Sequence, residues 1–219
     1  MLALRLDHAD RPIERVLCLG AHCDDLEIGC GGTMMKLAAM SRPLHVTWVV
    51  FSGSDVRAAE ARAAATAMLQ GVKQQEIIIK QFRDGFFPSL IGEIKDEFEA
   101  LKRALAPDLI LTHWRQDLHQ DHRAIAELTW NTFRDHLILE YEIPKFDGDL
   151  GSPNVFVALD EALVQRKIDT IVRSFPSQVG RQWFTEDLFR AILRLRGMEA
   201  NAPSRHAEAF YCRKLSLTC

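Results

Sequence analysis

The sequence has no apolar run approaching the roughly 20 residues that span a bilayer. It also has no CxxC pair, no internal repeat and no low-complexity stretch. Each absence excludes something. Without a long apolar run, no membrane-spanning helix is expected. A formal net charge of -3 at pH 7 supplies no global field to draw in nucleic acid or an anionic membrane. Met1 to Arg15 is broken up by Arg5, Asp7, Asp10, Arg11, Glu14 and Arg15. It therefore lacks the apolar centre of a secretion signal, and a cytoplasmic protein is expected. The five cysteines (Cys18, Cys23, Cys30, Cys212 and Cys219) are odd in number and unpaired in spacing, so no disulfide framework is expected. Cys23 stands beside His22, but nothing nearby marks it as activated, and it reads best as a small residue filling a tight loop.

What remains is ordinary for a globular protein: 219 residues, 47% hydrophobic and 26% charged, enough for one domain with a substantial core. Strand and helix patterns alternate. Val16 to Ala21, His45 to Phe51, Glu76 to Phe82 and Asp108 to His113 read as strands, rich in apolar and β-branched residues. Between and after them, Gly29 to Met40, Val56 to Leu69, Ser89 to Leu105 and Asp121 to Phe133 read as helices, the first entered through Gly31-Gly32. This alternation predicts a mainly parallel sheet with helices on both faces. The second half is less regular. Leu137 to Ile143, Val155 to Leu159 and Ala207 to Leu215 read as strands, Asp160 to Ser174 and Thr185 to Arg196 as helices, and Lys145 to Pro153 as a loop.

Ligands in such sheets bind beyond the carboxyl ends of the strands. The chemically suggestive residues fall there. His22-Cys23-Asp24-Asp25 follows the first strand, Arg83-Asp84 the third, and His113 to His122 the fourth. Two adjacent acids at the end of a buried strand repel each other and lose hydration, so something must compensate them. Helix capping by Asp24 or Asp25 is one solution. A divalent metal is another, and His119-Gln120-Asp121-His122 at the same edge favours it. His22, Asp25 and His122 would make two imidazoles and one carboxylate, a set that suits Zn2+, with Fe2+ or manganese also possible. Three protein ligands leave a position for water, whose pKa such a metal lowers toward about 7. Asp24 would accept the proton. His119 would stabilise a developing oxyanion or protonate a leaving amine, and Asp121 would hold an imidazole in the right tautomer. Together these parts describe hydrolysis of an unactivated carbonyl bond. Gly29 to Gly32 lacks the G-x-G-x-x-G spacing of a dinucleotide site, and acids stand where a pyrophosphate would go.

Ala21-His22-Cys23-Asp24-Asp25-Leu26-Glu27, followed by Gly-Cys-Gly-Gly-Thr, resembles the signature of the PIG-L/LmbE-like family of zinc-dependent N-acetylglucosaminyl de-N-acetylases. His119-Gln120-Asp121-His122 resembles that family's second motif, H-x-D-H. The resemblance implies a Rossmann-like three-layer α/β sandwich with the metal at the carboxyl edge of the strands. It implies zinc held by His22, Asp25 and His122, with Asp24 as general base, His119 as oxyanion-stabilising or acid residue, and Asp121 as an orienting carboxylate. It further implies a small amino-sugar substrate, an N-acetylglucosamine unit or a conjugate of one, and leaves room for a homo-oligomer. Arg83 and Asp84 lie where the family tends to place sugar-contacting polar residues, although a charged pair in a solvated turn reads the same way. Trp114, Tyr141 and Trp183 could stack on a sugar ring or simply pack, and Arg205 to Phe210 could close the site. Two positions depart from the family pattern: Cys23 replaces the usual proline, and Leu26 stands where glutamate is common, with Glu27 one place later. Rival readings are hydrolysis of a longer N-acyl or other amide, and a non-catalytic zinc- or sugar-binding module on the same fold.

Overall fold

The computed structural model describes residues 12–40 and 43–216. Most of the N-terminal lead-in read over residues 1–15 lies outside them, as does Cys219. Seven strands form one sheet: β1 (Arg15–His22), β2 (His45–Ser52), β3 (Gln74–Ile79), β4 (Leu109–His113), β5 (Leu137–Tyr141), β6 (Val155–Leu159) and β7 (His206–Tyr211). Their order across the sheet is β3-β2-β1-β4-β5-β7-β6. The first five are mutually parallel, and β7 runs against both its neighbours. The expected three-layer α/β fold with a mainly parallel sheet is present.

The period-2 alternation of β1 sorts its side chains onto two cores. Val16 and Cys18 join Trp48, Met34, Tyr141 and Phe210 on the face covered by α1 (Asp25–Ala38), α2 (Asp55–Met68), α5 (Glu161–Ser174) and α6 (Glu186–Glu199). Leu17, Leu19 and Ala21 join Phe51, Phe98 and Ile125 on the face covered by α3 (Ile91–Ala104) and α4 (Gln120–Thr132). Side-chain caps start the two late helices: Asp160 accepts from Leu163 N–H at 2.8 Å, and Thr185 accepts from Leu188 N–H at 3.3 Å.

Two readings of the sequence need correction. The glycine run does not open α1. The helix starts at Asp25 and carries Gly29, Gly31 and Gly32 in its interior. The reason is close approach: a Cβ on Gly29 would stand 2.2 Å from the Tyr141 ring, and one on Gly32 would stand 2.5 Å from Leu159. The third helix starts at Ile91, because Phe87–Leu90 forms a separate 3-10 turn around Pro88.

Strand order reverses between β1 and β4, where an open parallel sheet forms its crevice. β1 pairs with β4 only through Val16, Leu17 and Cys18, while its pairing with β2 runs on to His22. The last turn of β1 is thus free of β4, and side chains fill the gap.

Candidate metal centre

The crevice is filled by imidazoles and carboxylates. His22 ends β1. Asp24 takes a positive φ of 120°, a costly conformation for a residue with a Cβ. That turn aims Asp25, the first residue of α1, back at the strand, and its Oδ2 accepts from His22 N–H at 2.6 Å. Asp25 Oδ2 lies 3.5 Å from His22 Nδ1, and Asp25 Oδ1 lies 3.5 Å from His122 Nε2. His22 Nδ1 and His122 Nε2 are 3.2 Å apart. Ligand atoms around a tetrahedral zinc, each about 2.0–2.2 Å from the ion, stand about 3.4 Å from one another. The two imidazole nitrogens and the Asp25 carboxylate, which turns Oδ2 to His22 and Oδ1 to His122, therefore lie near the spacing that such an ion needs.

The opposite ring nitrogens sharpen this fit. His22 Nε2 is 3.2 Å from Asp121 Oδ2 and 3.1 Å from Asp84 Oδ1, and His122 Nδ1 is 3.0 Å from Asp117 Oδ2. With its Nδ1 donating to Asp117, neutral His122 turns a bare Nε2 lone pair toward His22, and His22, whose charged form Asp121, Asp25 and Asp84 favour, fills the 3.2 Å gap with a proton on Nδ1. The buried Asp25 carboxylate and the His122 lone pair thus call for positive charge between them, which that proton or a metal ion in its place supplies. The wider cluster offers related groupings within 4.8 Å, namely His22, His119 and His122; Asp25, His113 and His122; and His22, Asp84 and Asp121.

Electrostatics follows the same geometry. Burial works against the charged Asp25, but the surrounding His122, His113 and His22 hold its carboxyl well below the usual range. Burial, with His113 adding to it, takes His122 down to about 4, so it is a neutral imidazole at physiological pH. Burial likewise opposes a charge on His22, yet Asp121, Asp25 and Asp84 raise it well above its ordinary value. Burial raises Asp24 to about 7, with Arg57 opposing the rise and Asp25 adding to it. Asp24 stands outside the converging trio. Its Oδ2 is paired with Arg57 Nη2 at 2.7 Å.

His119 caps α4, its Nδ1 accepting from Asp121 N–H at 3.2 Å. That bond leaves the proton on Nε2. Its ring lies edge-on to His22 at 4.9 Å and stacks on His122 at 4.6 Å. Asp121 is fully buried and accepts from Gly85 N–H at 2.6 Å and Phe87 N–H at 3.1 Å, besides facing His22. It thereby ties the loop after β3 to the centre, and the histidine that it orients is His22.

The other candidates divide. Asp84 reaches His22, whereas Arg83 lies over the Phe86 ring at 3.6 Å and makes no contact with the cluster among the described residues. Tyr141 is core, its hydroxyl donating to Leu19 O at 2.8 Å. Trp114 stacks on Tyr211 at 4.5 Å, and Trp183 packs edge-on against Phe184. Arg205 to Phe210 closes no site: most of it is β7 inside the sheet, with Glu208 buried against α1. Cys23 is inert filling, its thiol raised to about 12, chiefly by burial.

The sequence assigns no role to three supporting residues, although His113 and Asp117 lie within the His113 to His122 stretch that it singles out. His113 Nε2 accepts from Ala21 N–H at 3.0 Å and lies 3.1 Å from Asp25, its ring stacked on His122 at 3.9 Å. Arg57 holds Asp24 and is itself paired with Glu60 at 3.0 Å. Asp117 holds His122. The available signal was position, since Arg57 lies in the first turn of the helix after β2, His113 ends β4 and Asp117 follows it, all at the ligand-binding edge.

Comparison with known proteins bears on the family and the fold. Residues 17–133 match the family model described as PIG-L: GlcNAc-PI de-N-acetylase. Among solved structures, a conserved protein of Thermus thermophilus is 19% identical, with a TM-score of 0.72 over 94% of this chain and 97% of that one. The N,N'-diacetylchitobiose deacetylase of Pyrococcus horikoshii is 22% identical, with a TM-score of 0.67 over 91% of this chain and 84% of that one. The 4-carboxy-2-hydroxymuconate hydratase of Pseudomonas putida is 15% identical, with a TM-score of 0.70 over 94% of this chain and 99% of that one. At these identities the likeness is one of fold.

Proposed function

The chain belongs to the PIG-L (GlcNAc-PI de-N-acetylase) family, and from that membership we propose a metal-dependent hydrolase that removes an N-acetyl group from an N-acetylglucosamine-type sugar or conjugate. The observation that carries the reading is the convergence of His22 Nδ1, Asp25 and His122 Nε2 at 3.2 to 3.5 Å. These residues would hold the ion, with Zn2+ the expected metal and Fe2+ the alternative. When bound, the ion supplies Lewis acidity toward the acyl oxygen and toward water.

The remaining chemistry belongs to the chain. Asp24 Oδ1, the oxygen outside the pair with Arg57, accepts a proton from the attacking water. In the metal-free centre burial raises the Asp24 carboxyl above its ordinary range, the direction that general-base work near neutrality favours. His119 Nε2–H donates to the oxygen that gains charge as the carbonyl is attacked. The proton held by Asp24 or His119 then passes to the leaving amine. With Nδ1 given to the ion, Asp121 would keep the remaining His22 proton on Nε2. Asp84, exposed beside His22, would meet sugar hydroxyls.

The test is acetate release from free and conjugated N-acetylglucosamines by zinc-reconstituted protein, beside longer N-acylglucosamines and Asp24→Asn. The expected result is release by the parent and a loss of about 10²-fold or more in the variant. Faster cleavage of long acyl chains would favour the longer-amide reading. Sugar binding without turnover on any member of the panel would favour the binding module. The hydratase likeness adds a control: the muconate hydratase neighbour's fold is shared, so the parent should leave an unsaturated hydroxy-acid substrate of that type unchanged.

A further inference from the structure

The loop after β5, read from the sequence as plain loop, reaches into the candidate centre. Lys145 Nζ lies 2.9 Å from Asp117 Oδ2, the same oxygen that takes the proton of His122 Nδ1 at 3.0 Å. The other side of the ammonium meets Asp149 Oδ2 at 2.5 Å and Ile143 O at 3.4 Å. Asp149 Oδ2 also accepts from Leu118 N–H at 2.7 Å, and Asp117 Oδ1 accepts from His119 N–H at 2.8 Å. One ammonium thus laces the loop after β4 to the loop after β5, at the point where the first of them carries His119 and leads into His122.

We propose that Lys145, anchored by Asp149, is a positioning residue that fixes His122 as a metal ligand by acting through Asp117. The inference rests on the metal reading above. Two buried carboxylates, Asp117 and Asp149, lie within 3 Å of the same nitrogen. Without the lysine they would repel each other across a dry gap, and Asp117 would lose a donor on the oxygen that orients His122. The His122 ring would then be held less firmly, and the loops after β4 and β5 would lose the Asp117–Lys145–Asp149 link, keeping the Leu118 N–H bond to Asp149. A carboxylate behind a metal-binding histidine sets the ring's orientation and basicity, and losing such a partner costs about 10- to 100-fold in metal affinity.

The experiment measures zinc affinity, by competition with a chromophoric chelator, for the parent, Lys145→Met, Asp117→Asn and the double variant. Thermal midpoints of the zinc-free proteins are recorded beside it. Lys145→Met is expected to weaken zinc binding about 10- to 100-fold. The double variant should bind no more weakly than Asp117→Asn alone, because both changes cut the same line of contact. A general loss of packing would instead lower the midpoint and combine additively. If Lys145→Met does not fold, Asp149→Asn, which removes the anchor and keeps the lysine, is expected to weaken zinc binding in the same direction by a smaller factor. Unchanged affinity in the folded lysine or Asp149 variant, or losses that multiply in the double variant, overturn the inference alone. A parent that binds no zinc overturns the metal reading as well.

Discussion

Asp24 and Arg57 meet at 2.7 Å, and the same guanidinium donates to the Cys23 carbonyl, pairs with Glu60 and lies over the Phe175 ring. The turn that holds Asp24 at positive φ is thus clamped from α2. Arg57→Met should release it. Misplacement of a catalytic group by about 1 Å can cost about 10²-fold. Turnover on a confirmed substrate should fall on that scale, while zinc content, which on the proposed ligand set would depend on His22, Asp25 and His122, should stay at the parent value. Loss of zinc together with activity would place Arg57 in the metal site's own support.

Glu60 continues the clamp, accepting from Ser177 N–H at 2.8 Å and Ser177 Oγ at 2.6 Å. Glu60→Ala should therefore lower turnover in the same direction as Arg57→Met but less, since Arg57 keeps its bond to Asp24. The double variant should match Arg57→Met alone. A rate cycle over the three variants checks this, and independent, multiplying losses would contradict it.

At the opposite end of the sheet, Asp108 fastens β4 to β1. It accepts from Arg15 N–H at 2.9 Å and Glu14 N–H at 3.1 Å, with the Arg15 guanidinium at 3.3 Å. Burial opposes its charge, but these donors prevail and hold its carboxyl below the usual range. A lowered folded-state pKa means stability that is fully present above the unfolded value, about 3.9, and lost as pH falls through the folded one. Asp108→Asn should thus be less stable than the parent near neutrality. The gap should narrow as pH drops below about 4. Urea midpoints measured across pH 7 to 2.5 read this directly, and turnover near neutrality should not change.

Lys167 and Glu208 form the one deeply buried ion pair between α5 and β7 among the described residues, at 2.6 Å. Both serve α1. Glu208 accepts from Gly32 N–H and Thr33 N–H at 2.7 and 2.6 Å, and Lys167 donates to Ile28 O at 2.6 Å. Removing one partner strands the other charge in the core, so Lys167→Met should cost about 3–5 kcal/mol in denaturant unfolding. A loss below about 1 kcal/mol would mean that water reaches the pair.

The sequence carried the sheet because buried strands are local signals, showing as β-branched and apolar runs. The proposed ligands stood out as local motifs too, His22 and Asp25 at the end of β1 and His122 at the start of the helix after β4. The supports were not legible, because they are contacts across the sheet. Nothing around Lys145 says that it meets Asp117, and nothing around Arg57 says that it meets Asp24. The glycine run misled for the same reason. Gly29 reads locally as a turn, but what requires it is the Tyr141 ring more than a hundred positions later. Trp114 and Tyr141 left stacking and packing equally open in the sequence, and contacts far along the chain decide for packing: Trp114 stacks on Tyr211, and the Tyr141 hydroxyl donates to Leu19 O.

The most direct test of the central claim is a calorimetric titration of zinc into the metal-free parent and His122→Ala. His22 Nδ1 and His122 Nε2, facing each other at 3.2 Å with their far nitrogens on carboxylates, should bind about one ion per chain. Binding should be lost or severely weakened in the variant. Absence of binding in the folded parent, or equal binding in the folded variant, would contradict the site described.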